Sequence, residues 1–295
     1  MTTARGTGGD RGAPRRRGAA AARRLAAFAA VALAVAGAAG ACSEATTDPN
    51  TPVSISFDSS LSIVVNDTLR DPLSGQILPL RATAFNGKGD TIRNAPFTFF
   101  ARDTSGAFTF VGDTLIATAS AKPGSYTLFA SLNGLQLSRT IQVVQRPDSL
   151  AAIFDTPLPT FPLAVPDIPG NVTPGASLGD TLKVRVLHDS SGTWQGVPSW
   201  VVKFEIVSAA PQLADSVRLV ASATTAPTQT APESAVDTTD GSGNASRRVR
   251  VFAKAGTAAG AQDTVVVRIT ATYQGKPLRG SPVTAILPLT RPATP

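Results

Sequence analysis

The sequence is poor in the side chains that most often carry chemistry: its 295 residues include one cysteine, Cys42, and one histidine, His188. A single cysteine excludes an intrachain disulfide, and a structural zinc site needs four Cys or His ligands. Sandwich domains of about 100 residues bury enough apolar surface to fold without a disulfide. After residue 42 there is neither a long amphipathic helical pattern nor a Gly-rich phosphate loop that opens a helix. The sequence therefore predicts no cofactor and no metal site.

The net charge of +7 is misleading, because most of it lies at the N-terminus. Seven of the 27 Lys and Arg, but only one of the 20 acidic residues, precede residue 42, which leaves 20 basic and 19 acidic residues in the remainder. A nucleic-acid surface needs clustered cations that neutralise phosphates. We therefore expect no nucleic-acid partner.

The few candidates for catalysis or metal binding are isolated. His188 ends an apolar strand pattern, and as a catalytic base it would need a nucleophile and an orienting acid from elsewhere in the chain. Asp237 and Asp240 are three residues apart, not at the alternating positions of a calcium loop, so an Asp-Gly turn is the favoured interpretation. We predict that the protein is not an enzyme; a hydrolase is the least favoured alternative.

The N-terminus carries an export pattern. Residues 25–38 are apolar and uncharged, but shorter than the run of about 20 residues that spans a bilayer. Ala39, Gly40 and Ala41 then lead into Cys42. This order resembles a bacterial lipoprotein signal, which implies cleavage between Ala41 and Cys42, a diacylglyceryl thioether on Cys42 and acylation of its new amino group. An ordinary secretory signal and a retained membrane helix are the alternatives.

The lipoprotein resemblance also implies a location. Acyl chains that each gain about 0.8 kcal/mol per buried CH₂ would hold the protein permanently on a membrane. Ser43, not an aspartate, follows the cysteine, which by analogy with such lipoproteins implies sorting to the outer membrane. We therefore predict a signal peptide at residues 1–41, a polar tether at 42–51, and an exported chain whose lipid anchors it in the cell envelope.

An internal repeat organises the rest of the chain. Residues 80–102 and 182–206 each contain an apolar alternation, a polar Gly-containing turn and a proline, Pro96 or Pro198, sixteen residues after the first leucine. Two further pairs of segments match in the same order, namely 53–59 with 150–156 and 130–137 with 271–278. In the last pair, a turn at Asn133-Gly134 or Gln274-Gly275 is predicted to lead into the final strand, because Gly accepts positive φ. Three collinear matches indicate duplication or common family membership.

Short alternating segments separated by turns predict an all-β chain with two tandem sandwiches. The candidate strands of the first sandwich are 53–57, 61–65, 80–85, 97–102, 115–119, 125–132 and 135–144. We place the first domain at 52–146 and a second, larger one with long loops at 147–291. Its longest excursion is the Thr/Ala/Pro-rich stretch 223–243, which we expect to be poorly ordered.

The two tryptophans receive different predictions. Trp200, Val202, Phe204 and Ile206 alternate with charged residues, which places them on one buried face. Trp194 falls in a loop instead. Because an exposed indole can stack on a sugar or pack against a protein, Trp194 is our candidate ligand contact.

Several short motifs carry a family resemblance. They are Gly179-Asp180-Thr181-Leu182, Gly196-Val197-Pro198 and residues 239–245 in the second unit, and residues 66–69, 87–94 and 124–128 in the first. Together they resemble the bacterial immunoglobulin-like domains of intimin- and invasin-type adhesins. The insertion at 70–79 departs from that pattern, because it separates the Asp-Thr-Leu motif from its expected strand.

The family resemblance implies a function of display or contact. We expect a membrane-anchored envelope lipoprotein with a structural, adhesion or protein-interaction role, and with a protein or glycan as its ligand. The alternative is a surface lipoprotein that binds carbohydrate or another substrate through Trp194 and the neighbouring loops.

Overall fold

A computed structural model describes residues 50–58, 62–102, 105–155, 158, 161–162, 176–209, 217–221, 234–252 and 262–290. All regular elements in these ranges are β-strands, so the prediction of an all-β fold is confirmed. No helix within them has the length and apolarity needed to span a bilayer. The predicted signal peptide, its cleavage site at Ala41 and Cys42, and most of the tether lie outside the described residues.

Strands β1 to β9 form what we call the first unit. Their bounds are β1 Ser54–Asp58, β2 Ser62–Val64, β3 Arg81–Phe85, β4 Thr91–Ile92, β5 Thr98–Ala101, β6 Phe108–Val111, β7 Thr114–Ala117, β8 Gly124–Leu132 and β9 Leu135–Val144. One sheet has the strand order β2-β9-β8-β5 and a second has the order β1-β3-β4, while β6 and β7 pair with each other. The two sheets enclose a core that includes Phe57, Leu128 and Ile141, none more than 1 % exposed.

All seven strands predicted for this unit are present, and the structure adds two. The additional strands are β4, only two residues long, and β6, whose Phe-Thr-Phe-Val sequence alternates over too few positions to stand out. The predicted turn at Asn133-Gly134 joins β8 to β9 directly, because both residues adopt the left-handed conformation, with φ of 47° and 85°.

Strands β10 to β21 form the second unit. Their bounds are β10 Ser149–Ala152, β11 Phe161–Pro162, β12 Ala176–Ser190, β13 Thr193–Gly196, β14 Val201–Ala209, β15 Val217–Val220, β16 Ser234–Thr238, β17 Asn244–Phe252, β18 Gln262–Thr270, β19 Thr272–Tyr273, β20 Lys276–Pro277 and β21 Val283–Thr290. One sheet has the order β10-β12-β17-β15, with β13 also on β12, and the other has the order β11-β21-β18-β14-β16. The domain limits 52–146 and 147–291 stay predictions.

Period-two alternation builds the second core as expected. Trp200 is 5 % exposed, Val202 and Phe204 are fully buried, and Ile206 packs against them. The charged residues between them face outward, where Glu205 accepts a hydrogen bond from Arg268 at 2.8 Å. The predicted burial of Trp200 and its neighbours is confirmed.

Two expectations for the second unit need correction. Part of the stretch 223–243 is a regular strand, because β16 pairs with β14 and places Ala235 against the core. The turn at Gln274-Gly275 does not lead straight into the last strand of the sheet. It closes the small β19–β20 hairpin, and β21 then returns to pair with β18.

Candidate functional site

The two units meet at a junction where neighbouring residues face different cores. On β2, Ile63 packs in the first core while Val64 packs in the second, and on β9 Val143 and Val144 divide in the same way. Successive side chains of a strand point to opposite sides, so each strand end contributes to both units. All four side chains are at most 4 % exposed. The junction is therefore continuous with the second core.

A carboxylate links the units on the polar side of this junction. Asp67 Oδ2 accepts hydrogen bonds from Tyr273 Oη at 2.9 Å and from Gln274 Nε2 at 3.1 Å. Its other oxygen accepts from Thr68 N at 2.7 Å and from Arg70 Nε at 3.3 Å. Asp67 thus joins the β19–β20 hairpin to the loop after β2.

The insertion at 70–79 contributes the remaining contacts of the junction. Thr272 Oγ1 donates to the carbonyl oxygen of Pro72 at 2.7 Å. Gly75, with φ of 75°, lies so close to the hairpin that a Cβ added there would be 2.0 Å from Gly275 N. The insertion at 70–79 therefore contributes part of the surface on which the second unit packs.

The cavity at the junction is small. The cavity between Trp200, Tyr273 and the loop at Asp67 to Pro72 has a volume of about 20 Å³. That volume is on the scale of one water molecule. The junction is consequently suited to holding the units together and not to binding a small molecule.

The ionisation of Tyr273 should weaken this junction. Burial, followed by the hydrogen bond to Asp67 and the charge of that carboxylate, raises the pKa of Tyr273 from 10.0 to about 12. The stabilisation is therefore complete below pH 10 and is lost as the pH rises towards 12. We expect the difference in unfolding free energy between the wild type and Tyr273→Phe, measured by urea denaturation, to be constant below pH 10 and to shrink above it.

Tyr126→Phe is the matched control, because its hydroxyl bonds to the backbone of Lys122 within the first unit. A Tyr273→Phe difference that does not change with pH would contradict the proposed role of the Asp67–Tyr273 bond.

A second candidate site is an open depression at one end of the second unit, which we call the Trp194 depression. It has a volume of about 480 Å³. Its lining residues come from the link between β9 and β10, from the β12–β13 hairpin and from the segment after β20, and they are Arg146, Asp148, His188, Asp189, Trp194 and Arg279.

Trp194 is 40 % exposed at this depression. It lies on β13, opposite Asp189 of β12, and not in a loop as the sequence suggested, because Thr193 to Gly196 extend the β12 hairpin. The guanidinium of Arg279 lies over the indole, with its Cζ 4.8 Å from the ring centroid. The expected accessibility of Trp194 is present, and its role as a ligand contact stays a prediction.

His188 lies beside Asp148, which could serve as the orienting acid that catalysis would require. Its Nδ1 is 2.9 Å from both Asp148 Oδ2 and the carbonyl oxygen of Arg146. Because both of these neighbours are acceptors, Nδ1 carries the hydrogen and donates it. No serine, cysteine or threonine is among the six residues that line the depression. The six lining residues therefore supply two parts of a triad and no hydroxyl or thiol nucleophile.

The Asp148 carboxylate is held in its ionised form. Burial alone would raise its pKa, but hydrogen bonds from Asp189 N and His188, together with the charge of Arg146, outweigh burial and leave the pKa below its usual value. Oδ1 accepts from Arg146 Nε at 3.1 Å, and Oδ2 accepts from Asp189 N at 3.0 Å. The side chain thus ties the inter-unit link to the end of β12.

Strand register explains why the sequence did not reveal this pair. Ser149 of β10 is opposite Leu187 of β12, which brings the preceding residue, Asp148, to His188 across a separation of 40 residues. Nothing in the local pattern of either segment specifies that register.

The acidic turn that suggested calcium binding uses its carboxylates locally. Asp240 Oδ1 accepts from Ser242 N at 2.8 Å and from Asn244 N at 2.9 Å, and these bonds, led by that of Asn244, lower the pKa of Asp240. Asp237 instead accepts from Ser246 N and pairs with Arg247. Within the ranges that the structure describes, no three His, Cys, Asp or Glu side chains are grouped to hold a metal ion.

Comparisons with known proteins give distant likenesses only. No family model and no curated protein matches the sequence. Among solved structures, the chain is similar to human protocadherin-24 EC1-2, at 13 % identity, 83 % of this chain, 100 % of that chain and a TM-score of 0.28. It is also similar to domains 4 and 5 of the S-layer protein SbsC, at 11 % identity, 81 % of this chain, 96 % of that chain and a TM-score of 0.26. Scores this low establish neither a family nor a function.

Proposed function

We propose that this protein is an exported, lipid-anchored component of the cell envelope, with two immunoglobulin-like sandwiches that serve a structural, adhesive or protein-interaction role. The observation that carries the proposal is the packed junction. A module that displays a distal surface must hold its units in a fixed relation, and buried Val64 and Val144 together with the Asp67 bonds supply that restraint. Two β-sandwich units joined in this way suit a spacer.

The chemistry of the described residues agrees with a role in binding. His188 has an orienting carboxylate, but no serine, threonine or cysteine is among the residues that line its depression, and the cavity at the junction is on the scale of one water molecule. The resemblance to bacterial immunoglobulin-like domains supports the same class of function.

The anchor is testable through Cys42. Cells fed an alkyne-tagged fatty acid should incorporate the tag into the wild type, because the thioether and the amide at Cys42 carry acyl chains. Cys42→Ser should lose the label and leave the outer-membrane fraction. Ser43→Ala is the matched control and should keep the label. Equal labelling of Cys42→Ser and the wild type would contradict the lipid anchor.

A second candidate function is carbohydrate binding, and one observation favours it. Trp194 is 40 % exposed at the rim of an open, polar depression, where an indole can pack against the C–H face of a sugar ring. This function is compatible with the first, because an envelope protein can display a glycan-binding surface.

A further inference from the structure

We infer that the Trp194 depression binds a carboxylate-bearing sugar, such as a uronate residue of an acidic polysaccharide. The inference deepens the second candidate function and rests on it.

Two guanidinium groups at the depression are held by aromatic rings. Arg279 Cζ lies 4.8 Å from the ring centroid of Trp194, and Arg146 Cζ lies 6.0 Å from that of Tyr273. An arginine placed over a ring keeps its N–H groups in the guanidinium plane, where they remain open to an acceptor. Carboxylates bind such groups through two parallel hydrogen bonds. The stacking therefore prepares Arg279 for a planar anion, whereas Arg146 already donates its Nε to Asp148 and adds positive charge beside the site.

The acidic side chains at the same surface already accept hydrogen bonds from donors within the protein. Both oxygens of Asp148 accept hydrogen bonds, from Arg146 on one side and from His188 and Asp189 N on the other. Asp189 Oδ1 accepts from Gly192 N at 2.7 Å. Arg279, in contrast, has no carboxylate within ion-pair distance among the residues that the structure describes. The donors left for a ligand are thus cationic.

The shape and the aromatic content favour a sugar as the carrier of the carboxylate. The depression is wide and open, unlike the enclosed apolar pockets that bind drug-sized molecules. Arg279 covers part of Trp194, and the indole keeps 40 % of its surface exposed for contact with a sugar. His188 Nδ1 is occupied by its acceptors, which leaves Nε2 for a sugar hydroxyl.

Calorimetry with the full chain in detergent tests the inference, with trigalacturonate and neutral galactotriose as probes. We expect the wild type to bind trigalacturonate at least about tenfold more tightly than galactotriose, since a charge-assisted bidentate pair contributes at that level. Arg279→Gln should lose this preference. Trp194→Ala should weaken the binding of both sugars.

Arg102→Gln is the matched control. Arg102 also lies 4.8 Å over an aromatic ring, that of Phe129, but in the first unit and away from the depression, so its replacement should leave binding unchanged. Circular dichroism of each variant checks that the fold is intact.

The remaining outcomes separate the inference from the function on which it rests. Equal affinity for the two sugars would overturn the carboxylate preference but keep carbohydrate binding. Binding of neither sugar would overturn both and leave the envelope role untouched. Tri-glutamate that binds as tightly as trigalacturonate would show a peptide-carboxylate site and overturn the sugar assignment.

Discussion

Phe204→Ala should lower the unfolding free energy of the second unit by about 3–5 kcal/mol, the usual cost of emptying a buried phenylalanine site. Phe204 is fully buried between the sheets, on a strand that pairs with β16 and β18. Both tryptophans of the chain, Trp194 and Trp200, lie in this unit, so their fluorescence reports on its unfolding. Urea denaturation followed by fluorescence should show the loss.

Two further variants make this measurement a test of separate cores. Val207→Ala changes an exposed side chain on the same strand and should alter stability by no more than about 0.5 kcal/mol. Phe57→Ala empties a site in the first core and should shift the circular dichroism transition more than the fluorescence transition. Coincident shifts in both signals for both phenylalanine variants would mean that the two units unfold together and would contradict independent unfolding of the two cores.

Gly75→Ala should open the junction between the units, with a cost of about 2–5 kcal/mol. The added Cβ would lie 2.0 Å from Gly275 N and 2.3 Å from Gln274 C, which are backbone atoms that cannot move aside without displacing the β19–β20 hairpin. Small-angle scattering should show a larger and less uniform particle. A dye that binds apolar surface should report exposure of Val64 and Val144.

Gly89→Ala is the matched control for this substitution. Gly89 has a similar φ, 85° against 75°, but a Cβ there meets no atom within 4 Å. Gly89→Ala should therefore lower the unfolding free energy by about 1 kcal/mol, the strain of an alanine in the left-handed conformation, and leave the scattering curve unchanged. Identical scattering curves for Gly75→Ala and the wild type would contradict the view that close backbone approach fixes the junction.

The elements that could be predicted from the sequence are those with local causes. Alternation along β14 identified Trp200 and Phe204 as buried, because a strand sends successive side chains to opposite faces. The Asn133-Gly134 turn could be predicted because a two-residue hairpin turn requires residues that adopt the left-handed backbone conformation. β4 is too short to show an alternating pattern, and β16 is separated from its partner β14 by a long segment, so neither strand gives such a signal.

The candidate sites depend on pairings that local patterns do not encode. Asp67 and Tyr273 are 206 residues apart, and they meet where the insertion at 70–79 packs against the β19–β20 hairpin. Asp148 reaches His188 through the register of β10 on β12. The sequence identified Trp194, but the arginine over its ring depends on the same folding of distant segments.

Neighbouring residues on β2 and β9 pack in different cores, and this has a mechanical consequence. Suppose that the chain is tethered at one end and pulled at the other. The force is then carried by the short connection before β10 and also by the interface, because Val64 and Val144 of the first unit are buried in the core of the second unit. Separation of the two units would expose these side chains to water and break the Asp67 hydrogen bonds at the same time. The two units should therefore resist separation until this interface breaks.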